Sequence, residues 1–234
     1  MAFGDTFRVS ASVAKQRKGD IEGAKADYQQ YYDRGLILSF YLIPWSILLL
    51  REGGQENLLK VKEILVKAQK APDLNPNTRS DLLTYFAVAQ WLLGEKDKAV
   101  ELMERVHQKS PMSNTYTALG YMYIDTVTPE KALEFCLNAL EYDDEDPVLL
   151  DNVGQTYYRA LHDPEKALPY FKKAIEIKDT QVDTLWFLSR YDLEAGDKAA
   201  AIEKLECSLE GRFAPLNYRN RGDIEAELAR LKAE

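Results

Sequence analysis

Two stretches of this chain that align with each other decide the fold. Residues 116–132 are YTALGYMYIDTVTPEKA, and residues 150–167 are LDNVGQTYYRALHDPEKA. Each stretch begins with a large residue, has Gly120 or Gly154 four residues later, and closes on Ala132 or Ala167. Small residues let two helices approach closely, so each stretch predicts a hairpin of two packed helices.

The same pattern recurs along most of the chain. Related stretches start at Leu83 and Leu185, and the small position of the second helix returns about every 33 to 38 residues, a period typical of a helical repeat. In chain order these positions are Ala24, Val61, Ala99, Ala132, Ala167 and Ala201. No hairpin can bury its apolar stripe alone, so stacked hairpins are expected.

The large residue, the Leu-Gly pair, the following tyrosine and the alanine of the second helix together resemble the tetratricopeptide repeat (TPR) family. The resemblance is clear from Ser80 to Ser208. It implies an all-α fold of the alpha-alpha superhelix class, a solenoid of about six helix-turn-helix repeats with a C-terminal capping helix. We expect one domain over residues 1–234, with divergent repeats in 1–79, clear repeats in 80–211, and a loop and capping helix in 212–234.

Turn residues predict where the helices begin and end. A side chain that can cap a helix precedes Pro129, Pro147 and Pro164, which favours a helix start at each proline. Glycines end the first helix of several hairpins, at Gly19, Gly94 and Gly196. Pro169 lies inside a predicted second helix and predicts a local bend there.

The uncharged stretch from Leu36 to Leu50 has three interpretations. It is shorter than the roughly 20 residues that span a bilayer as a helix, and Pro44 interrupts it. We favour a core helix that begins near Pro44. Membrane contact and an exposed docking patch stay open as alternatives.

Composition limits the kind of partner. The chain has 38 acidic and 30 basic residues and a net charge of -8, so we expect no nucleic-acid partner. Cys136 and Cys207 are its only cysteines, too few for a disulfide framework or a structural zinc site. Residues 1–5 do not resemble a secretion signal, and we expect a cytoplasmic location.

Side chains for catalysis or metal binding are sparse. His107 and His162 are the only histidines, they lie in different repeats, and we interpret both as solvated. The chain has no Gly-rich phosphate loop and no Gly-x-Ser-x-Gly elbow. We therefore expect no enzymatic activity, no cofactor and no metal.

The TPR resemblance also implies a binding surface. In that family the first helices line a concave groove, and positions beside the signature residues reach the ligand. Carried over by position, the expected partner-binding residues are Thr84, Val88, Trp91, Thr117, Tyr121, Asp151, Gln155, Tyr158, Trp186 and Arg190, with Ile124 and Leu193 at the same register. A groove that clamps a chaperone carboxylate is disfavoured because Asp151 and Asp183 would repel that anion.

These observations favour a non-enzymatic scaffold that binds a protein or peptide partner in the groove. Aromatic and arginine side chains are common anchors in such interfaces. Two alternatives stay open: a self-assembly module that forms a homo-oligomer, and a membrane-associated adaptor that uses residues 36–50.

Overall fold

A computed structural model describes residues 3–233, with side chains from residue 6 onward. These residues form helices and connecting turns, with no strand among them. The helices are α1 (Phe3–Arg17), α2 (Ile21–Asp33), α3 (Ser39–Glu52), α4 (Gln55–Ala68), α5 (Pro76–Leu92), α6 (Lys96–Lys109), α7 (Ser113–Thr126), α8 (Pro129–Tyr142), α9 (Pro147–Gln155), α10 (Pro164–Ile177), α11 (Val182–Glu194), α12 (Lys198–Glu210) and α13 (Arg221–Ala233). The all-α repeat class predicted from the sequence is confirmed.

The chain divides into two compact units, an N-terminal unit (Met1–Leu102) and a C-terminal unit (Met103–Glu234). In the N-terminal unit α1 to α4 each pack against the next helix in the chain, and in the C-terminal unit α7 to α12 do the same. The single-domain scheme with its internal boundaries stays a prediction.

Small residues stand where helices meet. The recurring alanines at positions 99, 132, 167 and 201 have no exposed surface. A Cβ atom on Gly154 would lie 2.5 Å from the ring of Phe171, and one on Gly120 would lie 3.1 Å from the side-chain amide of Asn152. The two glycines thus face a neighbouring helix, as the repeat pattern predicts.

The predicted helix starts are confirmed. Thr128, Asp146 and Asp163 each accept a hydrogen bond from a backbone N–H in the first turn of the helix that follows. Each of these helices has proline at its first position, where the missing N–H costs nothing. Gly19, Gly94 and Gly196 have φ of 91°, 80° and 80°, the left-handed conformation that closes a helix without Cβ strain.

One repeat carries an extra residue, which a π-helical turn accommodates. Ala167 follows Leu150 by 17 residues, whereas Ala132 follows Tyr116 by 16. Directly after α9 the backbone widens into a π-helical turn over Thr156–Ala160, the usual way for a helix to absorb a single insertion. The hairpin then turns through His162, whose φ of 54° takes the role that glycine has in several other hairpins, such as the one at Gly196.

The stretch from Leu36 to Leu50 is mainly core, which confirms the favoured interpretation, but its helix starts earlier than predicted. α3 begins at Ser39 rather than near Pro44. The carboxylate of Asp73 accepts hydrogen bonds from the backbone N–H groups of Ser39 and Phe40, at 2.8 and 3.0 Å, and so caps this start. Pro44 lacks the N–H that would bond to the carbonyl of Phe40, a residue at an exposed position.

The N-terminal unit fills its core with aromatic rings. Tyr28 packs against both Tyr41 and Trp45, Tyr31 packs against Tyr41, and Tyr32 packs against Trp45, with centroid distances from 5.5 to 6.4 Å. These large side chains supply much of the apolar contact within the N-terminal unit.

His107 is half-buried and so only partly solvated, contrary to the interpretation from the sequence. Its ring packs edge-on against Tyr116 and Phe135, with centroids 4.4 and 5.3 Å apart, and its Nδ1 lies 3.0 Å from the hydroxyl of Thr115. Burial lowers the pKa of His107 because the charged imidazolium loses hydration.

Candidate partner-binding face

The first helices of the C-terminal unit share a chain of side-chain hydrogen bonds. The hydroxyl of Thr184 on α11 and the amide of Gln155 on α9 both donate to the carboxylate of Asp151, each at 2.6 Å. Arg159 in the π-helical turn donates to Gln155 at 2.8 Å and to Asp125 on α7 at 2.5 Å. This network fixes one face of α7, α9 and α11, which we call the first-helix face.

The sequence-predicted residues of the C-terminal unit lie on this face at different depths. Asp151, Gln155 and Trp186 are buried, whereas the other four are half-buried: Thr117, Tyr121, Tyr158 and Arg190. Tyr158 contacts Phe187 edge-on at 5.1 Å and Tyr191 at 5.8 Å, so aromatic packing joins the π-helical turn to α11. The half-buried group is the part that a partner can reach without unfolding a helix.

Three predicted residues belong to the N-terminal unit. Thr84, Val88 and Trp91 lie on α5, and each is at least nine-tenths buried. The hydroxyl of Thr84 donates to the backbone carbonyl of Ser80 at 3.0 Å, and Lys96 lies 4.6 Å from the ring centroid of Trp91. Their part in partner binding stays a prediction.

Two buried carboxylates dominate the electrostatics of the first-helix face. Burial raises the pKa of Asp151 to about 7, and the negative charge of Asp183 contributes to that rise, while hydrogen bonds from Thr184 and Gln155 oppose it. Burial also raises the pKa of Asp183. Arg159 favours the charged form of both groups, so each carboxylate depends on nearby donors to remain ionised.

The donors to Asp183 come from the chain's own C-terminal segment, Arg212–Asn220, which lies within the connection between α12 and α13. The carboxylate of Asp183 accepts backbone N–H groups from Tyr218 and Arg219, at 2.8 and 3.2 Å, and the side-chain amide of Asn217 at 2.9 Å. Three donors on one carboxylate tie this non-helical segment to the first turn of α11.

Side chains strengthen this attachment. The ring of Tyr218 stacks on Phe187 with centroids 5.3 Å apart and meets Trp186 edge-on at 5.4 Å. The guanidinium of Arg159 lies 4.2 Å from the centroid of Tyr218, and that of Arg219 lies 4.5 Å from the ring of Trp186. Stacked guanidinium and aromatic groups of this kind are characteristic of protein interfaces.

The capping helix α13 contacts the same face. The carboxylate of Glu227 accepts a hydrogen bond from the indole N–H of Trp186 at 2.8 Å and forms an ion pair with Arg190. The apolar side chains of Ile224, Leu228 and Leu231 complete the core below. Two predicted anchors, Trp186 and Arg190, are therefore engaged by the chain's own C-terminus.

The sequence of this chain matches the model of a known protein family. The tetratricopeptide repeat model matches residues 51–206, two thirds of the chain. The chain belongs to the tetratricopeptide repeat family. The TPR fold is that of a protein–protein interaction scaffold, and TPR proteins bind protein or peptide partners.

Solved TPR structures share this fold. The pilF protein of Pseudomonas aeruginosa aligns with a TM-score of 0.60 and 13% identity over 96% of each chain. A thermophilic TPR protein of Thermus thermophilus aligns with a TM-score of 0.57 and 21% identity, covering 81% of this chain and 100% of that chain. YrrB, a TPR protein with an unusual peptide-binding site, aligns with a TM-score of 0.53 and 18% identity, covering 76% of this chain and 88% of its own. No curated protein matches the sequence.

Sequence reasoning missed several residues that belong to the first-helix face or contact it. Asp125 and Arg159 hold the same position in successive repeats and form an ion pair. Their opposite charges at matching positions were the signal in the sequence that could have predicted this ion pair. Tyr218, Arg219 and Glu227 lie outside the repeats, so no periodic pattern points to them.

Two further findings concern other kinds of site. Within residues 3–233, no group of three or more His, Cys, Asp or Glu side chains is placed to hold a metal ion. In the same part of the chain, no helix is both long enough and apolar enough to cross a membrane.

Proposed function

We propose that this TPR protein is a non-enzymatic cytoplasmic adaptor that binds a peptide segment of a partner protein on its first helices. The ten residues carried over from the family are the proposed contacts. In the C-terminal unit they lie on the first-helix face, and in the N-terminal unit they are Thr84, Val88 and Trp91 on α5.

One observation carries the proposal: the first-helix face combines half-buried aromatic and charged side chains with a rigid polar network. Tyr121 lies close enough to Asp183, Arg159 and two further carboxylates for their charges to act on it. Burial raises the pKa of its hydroxyl. Arg159 lies 5.9 Å from the Tyr121 ring. Tyrosine and arginine side chains held in place by neighbours are common hot spots because little entropy is lost on binding.

Partner capture with matched tyrosine variants tests this proposal. Full-length protein is used to capture partners from the cell extract, and each captured protein is then tested against Tyr158→Ala and Tyr142→Ala. Tyr142 is the control because it lies on the second helix α8 and is 52% exposed. We expect binding to be lost with Tyr158→Ala and retained with Tyr142→Ala. Equal binding by wild type and both variants would contradict the proposal.

A further inference from the structure

We propose that the C-terminal segment is an internal occupant of the first-helix face, and that the partner peptide displaces it with a short bent stretch in which a basic residue follows an aromatic one. This inference rests on the proposed function and names the chemistry of the partner.

The length of the segment is the first observation. Within the C-terminal unit, three or four residues connect each second helix to the next first helix, as in Asp143–Asp146 and Lys178–Gln181. The connection from α12 to α13 has ten residues, from Gly211 to Asn220. A connection of four residues suffices to continue the stack, so the additional residues are available to cover the face.

The way the segment is held is the second observation. Asp183 receives two consecutive backbone N–H groups, from Tyr218 and Arg219, and such contacts do not depend on which side chains the segment carries. Tyr218 and Arg219 lie in a bend, which turns both N–H groups toward the one carboxylate, and any peptide that bends in the same way can make the same pair of bonds. A proline at either position would remove one donor.

Side-chain contacts define the sequence preference. The pocket for Tyr218 consists of the rings of Phe187 and Trp186 and the guanidinium of Arg159, which together favour an aromatic side chain. The guanidinium of Arg219 lies over the ring of Trp186, in a face that also carries the carboxylates of Asp151 and Asp183. This charge distribution favours a basic residue directly after the aromatic one.

The internal fit is incomplete, which makes displacement feasible. The Nε atom of Arg219 is buried without a hydrogen-bond acceptor. A buried donor that lacks a partner weakens the binding of the group that carries it.

A tethered occupant competes strongly with a free peptide. A short linker gives a segment an effective concentration on the order of millimolar. A partner peptide must therefore bind weakly to the wild-type protein and more tightly once the internal contacts are removed.

The test uses a fluorescent probe peptide of the sequence RFAPLNYRN, identical to residues 212–220, and the control peptide RFAPLNAAN. Binding is measured by anisotropy to full-length wild type, to Tyr218→Ala/Arg219→Ala, and to that double variant carrying Asp183→Ala. We expect the double variant to bind the probe at least tenfold more tightly than wild type does, and to bind the control peptide no better than wild type does. We expect Asp183→Ala to abolish the gain. Equal affinity of wild type and the double variant, or no binding to either, would overturn the inference.

If the double variant does not fold, amide exchange in the wild-type protein tests the same inference. In the wild-type protein, amide exchange of Tyr218 and Arg219 is followed with and without excess probe. We expect the probe to accelerate exchange of both amides at least tenfold and to leave the buried α8 amide of Ala139 unchanged. Unchanged exchange of Tyr218 and Arg219 would overturn the inference.

The two experiments distinguish a failure of the displacement inference from a failure of the proposed function. If the probe binds wild type and double variant equally but partner capture still depends on Tyr158, only the displacement inference fails. If the probe result is as expected but no captured partner depends on Tyr158, the proposed function fails.

Discussion

The hydroxyl of Thr184 donates a 2.6 Å hydrogen bond to the carboxylate of Asp151, and this bond joins α11 to α9 inside the first-helix face. Both residues are buried, at 0% and 2% exposure. The bond therefore links two first helices of successive TPR repeats through a buried carboxylate.

Removal of this donor is expected to destabilise the protein. In Thr184→Val the carboxylate of Asp151 loses one of its two donors, and a buried group left under-satisfied costs about 1–3 kcal/mol of unfolding free energy. Denaturant unfolding at pH 8 measures the change. Thr117→Val is the control, because the hydroxyl of Thr117 bonds only to the nearby Asn114 carbonyl at 3.1 Å. An equal loss in the two variants would contradict this role of Thr184.

The pH dependence of stability follows from Asp151. Its pKa in the folded protein is raised to about 7, whereas an unfolded aspartate titrates at about 3.9. The folded state thus holds a proton that the unfolded state has released, and the stability from this group is lost as pH rises from about 4 to about 7.

We therefore expect the unfolding free energy of wild type to fall between pH 5 and pH 8 more steeply than that of Asp151→Asn. Chemical denaturation at constant ionic strength across this range gives both curves. Parallel curves would show that Asp151 does not titrate in this window.

A comparison of two glycines tests the packing of the repeats. In Gly154→Ala the new methyl group meets the buried ring of Phe171 at 2.5 Å, and overpacking of this kind costs about 1–3 kcal/mol. In Gly120→Ala the nearest atoms are at 3.1 and 3.3 Å, and the gain in helix propensity of up to about 1 kcal/mol offsets the smaller clash. Thermal and denaturant unfolding of both variants measure the difference. A Gly154→Ala protein as stable as Gly120→Ala would be inconsistent with the structure.

His162 offers a stabilising substitution. Its φ of 54° is a left-handed conformation that costs an L-residue roughly 1–2 kcal/mol, part of which glycine recovers. We expect His162→Gly to raise the unfolding free energy by about 0.5–1 kcal/mol. Gly196→Ala, at φ of 80°, is the opposite change and is expected to lower it by about 1 kcal/mol. A destabilised His162→Gly protein would refute this account of the hairpin.

The sequence predicts the repeats well because their information is local and periodic. Small residues such as Gly154 and Ala167, and capping residues before Pro147 and Pro164, act within one or two helices. The start of α3 was mistaken because Asp73, 34 residues from Ser39, caps it, and a contact at that distance leaves no periodic signal.

The face is only partly predictable for a related reason. Family resemblance places Tyr121, Tyr158 and Trp186 on the first helices of their hairpins, and the structure agrees, with Tyr158 in the π-helical turn that continues α9. Burial of Asp151 and Gln155 depends on hydrogen bonds between repeats, and coverage by Tyr218 depends on the path of a non-helical segment. Neither follows from the spacing of residues along the chain.

Site-specific photocrosslinking in cells tests the central claim most directly. A benzophenone amino acid is placed at Thr117 or Tyr158 on the first-helix face, and at Tyr142 on the second helix α8. The account predicts covalent adducts to one and the same partner from positions 117 and 158, and none from position 142. Adducts to that partner from position 142, with none from positions 117 and 158, would contradict it.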